Sequence, residues 1–250
     1  MYNYYMILKY AKSLLEFFKD PGILFAIANA FLFAKNSVLA FFIIIGALTL
    51  SIFLKIYAHQ NAYQSVSNNF WITIGKKQFI GLEILGYACL LVAFIAMTRQ
   101  LFIDFVSSFC FGFANLLLSY RLNPRTNVNL ENWQNTFKNI RENVSLTPFF
   151  IALLHEPIFL ICLGFIHAGL AAGAESLWIL PLVFWIPYLT ITKPQLNRAI
   201  PQGCLCLCAL WFMCVAISHH EWKLVVSNLL CTVAYIEITL QENKLFLAKN

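Results

Sequence analysis

Long charge-free apolar runs recur along this chain and constrain its fold more than any other feature. Asn36–Leu54, Phe105–Tyr120, Pro157–Ala174, Ser176–Thr192 and Ala199–His220 contain no Asp, Glu, Lys or Arg. A helix rises ~1.5 Å per residue and a bilayer's hydrocarbon core is ~30 Å thick, so about 20 residues cross it. Runs of that length recur too often for a soluble core. Only 11% of the residues are charged, against ~25% in ordinary globular chains. The longest polar stretch, Arg121–Thr147, is far too short to close around a core of its own. The expectation is one membrane domain over residues 1–250: an all-α, polytopic integral membrane helix bundle. The lipid bilayer is its first partner.

The runs predict about eight transmembrane helices, roughly 21–34, 37–54, 79–98, 101–120, 148–170, 176–192, 203–218 and 224–240. The first is short, because Pro21–Ala34 offers fourteen charge-free residues. A tilted or re-entrant hairpin with its tip at Lys35-Asn36-Ser37 fits that length. Two amphipathic helices are expected along the headgroups. In Asn129–Ser145, Leu130, Trp133, Phe137, Ile140 and Val144 recur at helical spacing, with asparagines opposite. At the N-terminus Leu8, Ala11, Leu15 and Phe18 face away from Lys9, Lys12, Glu16 and Lys19. Lipid headgroups or the ends of neighbouring spans would cover such stripes.

Charge supplies the orientation. With eight spans, only Lys35, Arg99 and Lys223 of the 17 Lys and Arg fall on one side. Cytoplasmic loops carry the excess of Lys and Arg, so both termini are expected in the cytoplasm. In a bacterium the membrane would be the plasma (inner) membrane. The net charge of +6 is scattered over span ends, not clustered as a nucleic-acid surface would require. All eight cysteines lie inside predicted spans, where a thiol behaves as a small hydrophobe, so no disulfide framework is expected.

A weak internal likeness accompanies these spans. Sliding the chain by 117 residues sets Thr73 on Thr190, Ile74 on Ile191, Lys76 on Lys193, Gln78 on Gln195, Gly86 on Gly203 and Cys89 on Cys206. Pseudo-repeat halves over 1–120 and 121–250, parallel in the membrane, would produce it. Four hairpins that look alike because membrane hairpins share a composition would also produce it.

Ionisable residues inside spans cost at least ~2.5–3.5 kcal/mol at the bilayer centre, so each calls for an explanation. Glu83, His155, Glu156 and Glu237 fall toward the cytoplasmic side. Asp104 and His167 fall toward the outer side, with Arg99, Glu175 and His219-His220-Glu221. His155-Glu156-Pro157 is the sharpest of these: proline frees backbone carbonyls about a turn upstream, and histidine titrates near neutrality. A snorkelling pair at the interface is the structural alternative. The outer histidines and carboxylates resemble a zinc or pH-sensing set only in composition, and no HxxxH or HExxH spacing occurs.

No motif names a reaction, and no cofactor or metal is implied. Pro194-Gln195 and Pro201-Gln202 resemble the dipeptide of PQ-loop transporters. There the dipeptide belongs to a span; here both pairs sit in or beside a connector, so no family is assigned. The leading expectation is passage of a small solute or ion, coupled to protons, along Glu83, Asp104, His155, Glu156, His167 and Glu237. The alternative is a non-transporting membrane scaffold or assembly component, in a homo- or hetero-oligomer. A lipid-modifying enzyme using His155-Glu156 is a weaker third.

Overall fold

The computed structural model describes residues 19–61, 73–74, 77–122, 159–161, 163 and 197–248. Among these residues the regular elements are α-helices, without strands. They are α1 (Pro21–Asn36), α2 (Val38–Asn61), α3 (Ile80–Thr98), α4 (Phe102–Leu122), α5 (Ala199–Ser218) and α6 (Trp222–Leu247). The last five are long and apolar enough to cross a bilayer. Large apolar side chains such as Phe42, Phe53, Phe94 and Leu207 stand outward, as lipid-facing surface must. The chain is therefore a helical membrane protein. The two expected spans at 148–170 and 176–192, and both expected amphipathic helices, lie outside or almost wholly outside the described residues.

Three boundaries differ from the hydropathy reading by four residues or more, among them the end of α6, which runs to Leu247 and not 240. Helix α2 does not stop at Leu54 but continues to Asn61, carrying Lys55 within it. A lysine ends an apolar run without ending a helix, because its stem stays with the apolar surface while its ammonium finds a partner. Helix α5 starts at Ala199 instead of 203, with Pro201 and Gln202 in its first turn. Proline is tolerated there because first-turn N–H groups lack intrahelical acceptors anyway.

The shortest of the six described helices is largely enclosed. With 16 residues, α1 is about 24 Å long at ~1.5 Å per residue. It is buried from Asp20 to Ala30 except at Ile27 and Asn29, and it packs on α2, α3 and α6. A helix too short for the hydrocarbon can sit at membrane depth when protein surrounds it. Phe25 of α1 meets Tyr235 of α6 edge-on at 5.2 Å, and the Ser227 hydroxyl of α6 donates to the Ala28 carbonyl at 3.0 Å. Ser37 alone separates α1 from α2, and its Oγ accepts the Ala40 N–H at 3.3 Å, capping α2.

Helices α3 and α4, and likewise α5 and α6, form tight antiparallel hairpins. Their turns have one hydrogen-bond pattern. Gln100 N–H donates to Met97 O at 3.0 Å and Leu101 N–H to Ala96 O at 2.9 Å; His220 N–H donates to Ile217 O at 3.0 Å and Glu221 N–H to Ala216 O at 2.9 Å. Gln100 (φ 59°) and His220 (φ 57°) hold the left-handed position that closes such a helix end. The two turns lie 120 residues apart, three more than the sequence match at 117, so Gly86 and Cys89 do not fall on Gly203 and Cys206 in this register.

The buried faces keep the same spacing. Each of the buried residues of α5, from Pro201 to Ala216, stands 120 positions after a buried residue of α3. Leu205 follows Leu85, Phe212 follows Val92 and Ala216 follows Ala96. The buried residues of α6 correspond to buried residues of α4 in the same way, Ser227 to Ser107, Ala234 to Ala114 and Ile238 to Leu118.

A buried polar end as candidate functional site

One end of the bundle gathers the starts of α1, α3 and α5 and the ends of α2, α4 and α6. Asp20 organises it. Asp20 precedes Pro21, and an aspartate cap before a first-turn proline is a strong helix-start signal. Its Oδ1 accepts the Gly22 N–H at 2.9 Å. Its Oδ2 accepts the Gly81 N–H, in the first turn of α3, at 2.7 Å. Lys55, on α2, brings its ammonium to 2.9 Å from Oδ2 and donates to the Gln78 carbonyl at 3.3 Å. One fully buried carboxylate thus caps two helices and ties down a third. The positive ends of two helix dipoles and one ammonium balance its charge.

A second buried pair joins the two hairpins. Arg121, in the last turn of α4, presents Nε to Glu242 Oε1 at 3.0 Å and Nη2 to Oε2 at 3.1 Å. That forked geometry fixes orientation as well as charge. Glu242 is buried at 4% exposure. Beside it Asn197 donates to Asn243 at 2.9 Å and accepts the Ala199 N–H at 2.9 Å, capping α5. Ser119 donates to the Phe79 carbonyl at 3.2 Å, tying the end of α4 to the start of α3.

Gln202 breaks this pattern of satisfied groups. It is fully enclosed, yet neither its amide nitrogen nor its amide oxygen has a hydrogen-bond partner among the described residues. The Asn197–Asn243 bond sets the ends of α5 and α6 level, so Gln202 lies about a turn deeper in the bundle than Glu242. An unpaired buried polar group costs ~1–3 kcal/mol.

The described members of the predicted path lie at different levels of the bundle. Glu83, in the first turn of α3, is half-buried and paired with Lys77 at 2.8 Å. Asp104, in the first turn of α4, is exposed at the opposite end of the same hairpin. Glu237 is half-buried on α6, about two turns inside Lys244. His155, Glu156 and His167 lie outside the described residues. Of the outer group, His219 and His220 are exposed on the α5–α6 turn. No metal-holding group of His, Cys, Asp or Glu occurs among the described residues.

Sequence reasoning missed Asp20 and the Arg121–Glu242 pair, and it put Pro201-Gln202 in or beside a connector where the structure has both residues in the first turn of α5. The Asp-Pro-Gly start of α1 could have revealed the first half of the role of Asp20. The other partners come from helices far away in the chain and leave no local signal. Compared with known proteins, the chain matches no family model, no curated protein and no solved structure.

Proposed function

We propose that this membrane protein moves a small solute or ion across the bilayer, coupled to protons, with Glu237 as a protonatable group on the path. The supporting observation is the isolation of Glu237. Asp20, Glu83 and Glu242 each have a cationic partner. Among the described carboxylates Glu237 is the one without a hydrogen-bonding or ionic partner, and it sits inside a bilayer-length apolar helix. Holding an unpaired carboxylate at membrane depth costs at least ~2.5 kcal/mol near the centre, unless it carries a proton or meets water. Either condition suits a proton-coupled step.

Orientation follows from the same end-by-end division. Lys55, Lys77, Arg121, Arg198 and Lys244 cluster at the end organised by Asp20, and Lys35, Arg99 and Lys223 belong to the other. By the positive-inside bias the Asp20 end faces the cytoplasm, and both chain termini lie there.

The test is proton flux in proteoliposomes under an imposed pH gradient, comparing the wild type with Glu237→Gln. Flux lost in a variant of unchanged thermal stability supports the reading. Wild-type flux in Glu237→Gln removes this residue from the path. A wild type without flux of protons or co-supplied solute turns the assignment to a membrane scaffold or assembly component.

A further inference from the structure

The two described hairpins offer an internal control on each buried polar residue. Their turns share one hydrogen-bond pattern at a spacing of 120 residues, and every buried position of α5 and α6 coincides with a buried position of α3 and α4 at that spacing. At equivalent places the two can therefore be compared side chain by side chain. Ser107 and Ser227 are both small hydroxyls, and Leu85 and Leu205 are identical. Side chains differ in mid-bundle too, where Asn115 corresponds to Tyr235 and Gly112 to Thr232, and they differ at the Asp20 end. Where the first hairpin buries Leu82, the second buries Gln202; where the first buries Leu122, the second buries Glu242. The first hairpin has leucine at both corresponding places, so the buried amide and carboxylate belong to the second hairpin alone.

Glu242 has a structural partner in Arg121; Gln202 has none among the described residues. Burying an unpaired amide where leucine would pack costs stability, and such a cost is retained where the amide binds something. We propose that α3/α4 and α5/α6 are two copies of one hairpin module, and that the second copy carries a binding site for a small neutral polar molecule, recognised by the Gln202 amide. An amide offers an acceptor oxygen and a two-proton donor side by side. Its complement is a donor and an acceptor on neighbouring atoms, as in a carboxamide or a vicinal diol. The nearby Arg121–Glu242 pair is balanced in charge, so a charged guest would enter a buried place without compensation. The ligand is therefore neutral. This site stands apart from the role of Glu237 and does not depend on it.

The test uses the full-length protein in nanodiscs, with nitrogen-15 in its glutamine side chains. The Gln202 amide resonance is identified as the one missing in Gln202→Leu. Acetamide is titrated as the probe, with formate as the anionic control. A saturable shift of that resonance with acetamide and none with formate is expected. Gln202→Leu is expected to melt at the wild-type temperature or above it, because leucine already serves at position 82. A shift with formate alone overturns the neutral class. No saturable shift with acetamide leaves a bound water only and overturns the site. A clear drop in the melting temperature of Gln202→Leu shows the amide to be structural, which also overturns it. Leu82→Gln supplies the reciprocal measurement: two copies of one module predict that it lowers the melting temperature, and an unchanged value overturns their equivalence.

Discussion

Gly22 and Gly81 meet backbone to backbone beneath a carboxylate that serves both of their helices. A methyl group on Gly22 would overlap the Gly81 carbonyl carbon and the Leu82 nitrogen, and one on Gly81 would press on the Asp20 carboxyl at 2.9 Å. The starts of α1 and α3 can share Asp20 because neither glycine has a side chain to hold them apart. The short enclosed helix is thereby fixed at one end by backbone contact and charge together.

Gly22→Ala should be severely destabilising, at the upper end of the ~1–3 kcal/mol typical of overpacking or beyond, since the clash is with backbone and not a movable side chain. Gly46→Ala is the matched control. Gly46 lies in α2 with nothing within 4 Å of an added methyl group, so alanine should stabilise by ~0.5–1 kcal/mol. Thermal unfolding in detergent compares the two. Equal behaviour would show that the α1–α3 crossing is wrong.

Asp20→Asn should cost ~3–5 kcal/mol, the usual effect of leaving one partner of a buried pair alone. Lys55 would keep its charge, and the capping of Gly22 and Gly81 would weaken. Adding Lys55→Met should return part of the loss. A double-mutant cycle on chemical or thermal unfolding measures the coupling, and a coupling near zero would mean that the two do not form a pair.

Glu242→Leu alone should destabilise by ~3–5 kcal/mol, because it strands Arg121 at the junction of the hairpins. Combined with Arg121→Met it should come close to wild-type stability or exceed it, as apolar replacement of buried pairs often does. Leucine is the informative choice, since Leu122 occupies the equivalent buried place in the first hairpin. A double variant as unstable as the single one would contradict the pairing.

Gln100→Gly and His220→Gly should each stabilise by up to about 1 kcal/mol, because both residues hold a left-handed backbone that glycine adopts without strain. Substitution by valine at either place should destabilise. Melting temperatures of the four variants decide it, and the two positions should respond alike.

The candidate site was legible in the sequence only in part. Glu83, Asp104 and Glu237 were recognisable as ionisable residues in or beside apolar runs, and the start of α1 was written in Asp20-Pro21-Gly22. Which of them are partnered was not legible. Glu83 and Glu237 look alike in sequence, each a glutamate inside a hydrophobic helix. Glu83 meets Lys77 within its own segment, whereas Glu237 faces no cation among the described residues. Gln202 stood out only within the Pro201-Gln202 dipeptide, which reads as part of a connector until the helix is seen to include it.

The amino-acid sequence by itself determined that this chain is a bundle of apolar helices in a membrane, with basic residues gathered at span ends. Those properties follow from run length and local charge, which a bilayer reads segment by segment. Only the tertiary structure decided that the shortest of the described helices is enclosed by its neighbours, that Asp20 caps a helix 61 residues away, and that Gly22 is required where Gly46 is not. Each of these depends on which helices the fold brings side by side. A carboxylate or a glycine carries no mark of the distant backbone it will meet.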